Sequence, residues 1–152
     1  MPEVSYKNNS FNRDLKAGQA YEDIVLKRIQ KIYPKSYIEH GYFKEWDIYV
    51  PELGIGVEVK SDQKSQDTGN IVIEIEFNGK PSALSTTMAQ YWVIFDGDHY
   101  VWFKVGDIRR CIEENNCLWT TFIGKGDQHP KKAYLIKKEL LYKYSILSTM
   151  SL

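Results

Sequence analysis

Trp46-Asp47-Ile48-Tyr49-Val50-Pro51-Glu52-Leu53-Gly54-Ile55-Gly56-Val57-Glu58-Val59-Lys60 is the stretch on which the fold turns. Two short runs rich in β-branched and aromatic residues, 46–50 and 54–60, flank Pro51–Gly54, whose proline and glycine mark a hairpin turn. Side chains two apart on a strand share a face, so Glu58 and Lys60 project together. Closing the hairpin brings Asp47 beside Glu58. Two carboxylates and one ammonium on a pleated surface can hold a hard divalent cation and the phosphate it activates. The pattern points to metal-dependent cutting of nucleic acid.

Upstream, Leu15 to Tyr33 reads as a helix. Leu15, Gly18, Val25, Leu26, Ile29 and Tyr33 fall on one side at a period near 3.6, and Pro34 ends the run. Glu22 lies at the centre of that apolar stripe. A carboxylate aimed at the core is costly unless something there uses its charge. An active-site acid satisfies that condition, and so does a salt bridge to Lys60 or a stripe turned slightly outward. Residues 1–12 read as a loose polar arm.

Downstream, Ser36 to Phe43 reads as a first strand, ahead of the Asp47 and Glu58 strands, and Gln63 to Gly69 as a polar loop. Ile71 to Phe77 alternates, with Ile71, Ile73, Ile75 and Phe77 on one face and Glu74 and Glu76 on the other. Asn78 to Ser82 breaks it, and a short helix fits Ser82 to Ala89. Tyr91–Phe95 and Tyr100–Lys104 flank Asp96-Gly97-Asp98, a hairpin signal. Helices are expected over Val105–Asn115 and Lys137–Tyr144. A helix, then strands with helices attached, implies an α/β or α+β sheet covered on both faces.

The 152 residues, with 11 Tyr and 4 Trp, suit one globular domain, 1–152. Met1 to Ser10 lack the apolar core of a signal peptide, and no apolar run reaches membrane-spanning length. Cys111 and Cys117 lack zinc-ligand spacing, so reduced thiols in a cytoplasmic setting are expected. Formal charge is zero, which argues against a protein that coats DNA nonspecifically and leaves a nuclease open. Lys125, Lys131, Lys132, Lys137, Lys138 and Lys143 outnumber Asp127 and Glu139 in their segment. That surplus fits a phosphate-contacting edge and a solvated helix face equally well. His40, His99 and His129 have no ligand spacing. Gly124-Lys125-Gly126 reads as a turn, the Tyr91–Phe103 aromatics as core, and Ser85-Thr86-Thr87 as a cap or loop.

Phosphodiester hydrolysis needs an activated water, neutralised charge on the phosphorane, and help for the leaving oxygen. Asp47 and Glu58 offer oxygens to Mg²⁺. Lys60 can orient or deprotonate the water, or offset transition-state charge. Glu22 from the helix and Glu74 from the next strand can join the same face as further metal ligands. Surface strands often carry Glu and Lys at alternate positions, so the Glu58–Lys60 spacing alone decides little. Asp47 across a turn and Glu22 on an apolar face are what give it weight.

Glu22, Asp47, Glu58 and Lys60, in that order, resemble the PD-(D/E)XK nuclease superfamily, whose pattern is an acid on the first helix, an Asp on the second strand and Glu-x-Lys on the third. The likeness covers about residues 15 to 95, with Trp46 in place of the motif's proline. Thr68-Gly69-Asn70, Glu74, Glu76, Gly79–Ser82 and Ser85–Thr87 are similar to a small phage-associated branch. The resemblance implies a restriction-endonuclease-like mixed sheet flanked by helices, Mg²⁺ or Mn²⁺ dependence, DNA as the partner, and frequent dimers. A phage-encoded member would act in the host cytoplasm. It leaves open a general endonuclease, a junction, flap or intron-homing enzyme, and a DNA binder of the same fold that does not cut.

Overall fold

The computed structural model describes the backbone of residues 2–42 and 44–147 and the side chains of residues 16–42 and 44–147. Helix α1 (Pro2–Gln30) leads into β1 (Tyr37–Ile38), β2 (Ile48–Val50) and β3 (Ile55–Ser61). A single helical turn, α2 (Ser65–Thr68), precedes β4 (Asn70–Phe77) and β5 (Lys80–Pro81). After a 3₁₀ turn at Ala83–Ser85 come β6 (Tyr91–Phe95), β7 (Tyr100–Lys104), α3 (Val105–Glu114), β8 (Trp119–Phe122), β9 (Lys131–Lys137) and α4 (Lys138–Tyr142). The strands form two sheets, β1-β2-β3-β6-β7 and β5-β4-β9-β8. Pairing is antiparallel except between β3 and β6, so the molecule is mixed α/β. Among the described residues no helix is long and apolar enough to cross a membrane.

Strand alternation divides the core in two. Val57 and Val59 of β3, with Ile48, Val50 and Val93, pack against Val25 and Ile29 of α1. On the other face Trp92, Ile94 and Phe103 meet Ile71, Ile73 and Ile136 of the second sheet, with Ile108 and Cys111 of α3. Both faces of the first sheet are therefore covered, one by a helix and the other by a second sheet together with α3. Glu58 is in register with Trp92, and Lys60 with Ile94. Their side chains thus point toward the second sheet.

The expected Asp47–Glu58 hairpin forms, with Ile48 opposite Val57 and Val50 opposite Ile55. Its brace is Trp46, whose ring stacks on Tyr49 at 5.3 Å between centroids. The indole lies so close to Gly56 that a Cβ there would sit 2.2 Å from Trp46 Cδ2. Only glycine admits that approach.

Several expectations change. Residues 2–12, read as a loose arm, belong to α1; Pro2 suits a first helical position, and the helix meets no further proline or glycine before Gly18. The strand read over Ser36–Phe43 shrinks to Tyr37–Ile38, since Gly41 at φ +124° turns the chain away. The loop at 63–69 carries α2, stopped by left-handed Gly69. The helix read over Ser82–Ala89 is only the 3₁₀ turn, with Ala83 at φ +44°. Strands β8 and β9 were not anticipated.

Candidate active site

Asp47 is 5% exposed and stands where the β2–β3 ladder runs out. Its N–H donates to the Val57 carbonyl at 3.0 Å. Beyond that point the carboxylate replaces the missing strand: Val59 N–H donates to Asp47 Oδ2 at 2.7 Å. The aspartate is thus fixed on the face that carries Glu58.

The Asp47 carboxylate acts on both Glu22 and Glu58, making each harder to ionise. Acids from α1, from the residue before β2, and from β3 therefore influence one another electrostatically. Burial, then the Asp47 charge, push the Glu22 carboxyl above its ordinary pKa, against the pull of Lys44. Burial raises Glu58 too, with Asp47 adding to the shift and Lys60 opposing it. Lys60 Nζ lies 4.0 Å from Glu58 Oε1 and 5.4 Å from the Trp92 ring centroid. Glu22 follows the same helical line as buried Val25 and Ile29; the side chain of Leu15 lies outside the described residues. The helix is held in place by Tyr21, which packs on Phe95 at 4.9 Å and accepts a hydrogen bond from Gln63 Nε2.

A residue the sequence did not single out completes the cluster. Lys44 Nζ is 2.9 Å from Asp47 Oδ1 and 3.6 Å from Glu22 Oε1. Burial lowers the affinity of Lys44 for its proton, but the Asp47 hydrogen bond and the Asp47 and Glu22 charges more than reverse this. The only signal in the sequence is a lysine three residues before the aspartate, which is too common to carry meaning. The three carboxylates suit a hard cation in kind. As arranged around Lys44, they are not drawn together on one point: among the described residues no group of three or more His, Cys, Asp or Glu side chains is placed to hold a metal ion.

Lys60 opens onto a cleft of about 360 Å³ between the two sheets. Asp62, Lys64, Glu74, Trp92, Phe122, Lys125, Asp127 and Lys131 line it with Lys60. Lys125 and Lys131, expected to contact phosphates, thus share a wall with the candidate catalytic lysine. Lys131 is tethered, 3.1 Å from Asp127 Oδ2 and 3.6 Å from Glu74 Oε1. Lys132 is not in the cleft. Alternation turns it to the opposite face of β9, where it meets Glu76 at 3.4 Å and lies 4.0 Å from the Trp119 ring centroid. Glu74, expected as a further metal ligand, is set apart from the other acids because β4 belongs to the second sheet. It accepts a hydrogen bond from Ser82 Oγ at 2.8 Å and pairs with Lys131. Asp62, also missed in the sequence, accepts Val72 N–H at 2.8 Å and so ties the end of β3 to β4.

The histidines stay outside the acid cluster. His99 pairs with Asp98 at the β6–β7 turn, and His129 packs edge-on against Phe77. His40 lines a separate pocket beside Glu22 and Lys44. Cys111 is buried and Cys117 half-buried, both as free thiols. No protein-family model, no curated protein and no solved structure matches the chain.

Proposed function

We propose that the chain is a metal-dependent endodeoxyribonuclease with a restriction-endonuclease-like core, cutting DNA phosphodiesters at the Asp47–Glu58–Lys60 face. The observation that carries this reading is the gathering of Glu22 from α1, Asp47 from the edge of β2 and Glu58 from β3 beside Lys60, which itself lines a cleft with Lys64, Lys125 and Lys131. Chance placement of Glu and Lys on a surface strand does not call for a buried aspartate and a helix acid at the same point.

A Mg²⁺ or Mn²⁺ ion would supply Lewis-acid activation of water and phosphate. Asp47 and Glu58 would hold it, with Glu22 alongside. Asp47 is suited to the task because its backbone and Oδ2 are already fixed by Val57 and Val59. Lys60 sits between Glu58 and the cleft, where it can orient the attacking water or offset charge developing on the phosphate. Lys125 and Lys131 would take neighbouring phosphates, which position the backbone without reading bases.

The competing reading is a DNA-binding protein of similar architecture that does not cut. The Lys44 ion pairs favour it, since one ammonium already offsets part of the charge of Asp47 and Glu22. Incubating the purified protein with supercoiled plasmid, single strands and a four-way junction, with and without Mg²⁺, separates the two. Mg²⁺-dependent cleavage of any of these, lost in Lys60→Ala with DNA affinity in Ca²⁺ retained, is the expected result. Binding without cleavage under every metal condition would leave the second reading.

A further inference from the structure

The second sheet has a face that the core does not use. Ile71, Ile73 and Ile136 point inward. Alternation therefore turns Val72 and Leu135, opposite each other in register, to the outside, where they are 37% and 45% exposed. One row across the same face holds Phe77, Lys131 and Phe122, paired through β4, β9 and β8. Lys131 Nζ lies 5.9 Å from the Phe122 ring centroid, so a cation and an aromatic ring stand side by side.

This face runs into the cleft beside Lys60, which Val72, Phe122 and Lys131 also line. The three acids of the cleft are already engaged: Asp62 accepts Val72 N–H, Glu74 accepts Ser82 Oγ–H, and Asp127 pairs with Lys131. Lys64, Lys125 and, at the end of β9, Lys137 are exposed and can meet an incoming anion. Lysines alone would suit any polyanion. The apolar and aromatic surface between them narrows the choice, because a double helix keeps its base faces closed, whereas a single strand offers them for stacking. The cleft, at about 360 Å³, is at the small end of ligand pockets, with room for a nucleotide unit and not for a duplex.

We propose that the outer face of β4, β9 and β8, continuous with the Lys60 cleft, is a track for single-stranded DNA. Bases lie against Phe122, Val72 and Leu135, and phosphates meet Lys64, Lys125 and Lys137. This rests on the reading of DNA as the partner given above, and on neither metal binding nor cleavage. It makes a gap, a flap or a frayed end, and not an intact duplex, the substrate class of the site.

The test is fluorescence anisotropy with the full-length protein in EDTA, so that no divalent ion enters the measurement. The probes are a labelled strand of mixed sequence about 16 nucleotides long, the upper site size of a single-strand-binding domain, and the same strand annealed to its complement. The single strand should bind about tenfold more tightly than the duplex, as one or two stacked bases provide. Phe122→Ala should weaken single-strand binding about fivefold or more, the low end for one stacked base, and Phe122→Trp should keep it. Leu135→Glu should weaken it more than Thr121→Glu, which puts the same charge on the opposite face of β8. A duplex bound as tightly as the single strand, a folded Phe122→Ala that binds like wild type, or equal losses in Leu135→Glu and Thr121→Glu overturns the track and leaves the nuclease reading to the plasmid assay. Failure to bind either probe also overturns the track, and Mg²⁺-dependent plasmid cleavage by the same protein would then keep the nuclease reading standing without it.

Discussion

Replacing Asp47 by alanine and by asparagine separates the two jobs this residue holds. Alanine removes the acceptor of Val59 N–H, a 2.7 Å bond in a position 5% exposed, and leaves a strand amide without its partner. Losing a hydrogen bond to a charged group of this kind costs about 1.5–3 kcal/mol. Relief of the repulsion that Asp47 imposes on Glu22 and Glu58 offsets part of that. A net loss of about 1–2 kcal/mol remains, which lowers Tm by about 2–8 °C for a chain of this size. Asparagine keeps an oxygen for Val59 while removing the charge, trading the Lys44 ion pair against the repulsion on Glu22 and Glu58, so its Tm should stay above that of the alanine variant. Both variants should lose any rise in Tm on adding Ca²⁺, which for a bound ion at a hundred times its Kd is worth about 2.7 kcal/mol. Differential scanning fluorimetry with and without Ca²⁺ measures all of this at once. Equal melting of the two variants would refute the role given to the Val59 bond. A Ca²⁺-induced shift surviving in Asp47→Asn would refute Asp47 as a ligand.

Gly56→Ala drives a Cβ to within 2.2 Å of the Trp46 ring at its root, where the indole cannot pivot away cheaply. Overpacking of this kind costs about 1–3 kcal/mol, and Trp46→Ala in the same chain should recover part of the lost Tm. Glu22→Gln should raise Tm at neutral pH, because burial and Asp47 lift the folded-state pKa and make the charged form the unfavourable one. The sign is that of a raised carboxyl: its stabilising contribution is intact below the unfolded pKa and is lost as pH rises through the folded one. The advantage of Glu22→Gln should therefore vanish in melts at acid pH, and a constant advantage would contradict the assignment. Lys125→Glu should flatten the salt dependence of DNA binding by about one unit, as one lost phosphate contact predicts. Lys132→Glu, on the far face beside Glu76 and Trp119, should leave that slope unchanged in an anisotropy series in Ca²⁺.

The hairpin, the face shared by Glu58 and Lys60, and the placing of Glu22 were all legible because period and turn chemistry are local. So were the Tyr91–Phe95 and Tyr100–Lys104 strands around Asp96-Gly97-Asp98. The second sheet was not. β9 reads Lys131-Lys132-Ala133-Tyr134-Leu135-Ile136-Lys137, and its lysines mask an apolar run that pairs with β4 through a bulge between Glu74 and Glu76. A signal was present. Trp119–Phe122 and Ala133–Ile136, both rich in strand-forming residues, flank the Gly124–Gly126 turn. Without that pair nothing in the sequence showed that the Glu74 strand pairs outside the first sheet, or that Lys131 and Lys132 point to opposite faces. Lys44 was invisible for a different reason: its role depends on a loop conformation that no periodicity encodes.

The pairing of β4 with β9 has a consequence for the order in which the molecule assembles. Asn70 stands opposite Lys137 and Phe77 opposite Lys131, segments far apart in the chain, whereas β2 and β3, which carry Asp47 and Glu58 together, pair across the short turn at 51–54. Closing the longer loop costs more entropy, which favours the hairpin early and the β4–β9 pairing late. A newly made chain would thus gather Asp47 and Glu58 before the wall bearing Lys125 and Lys131 is in place. The acids then spend the interval without the lysine-bearing wall that closes the cleft beside Lys60 in the folded chain.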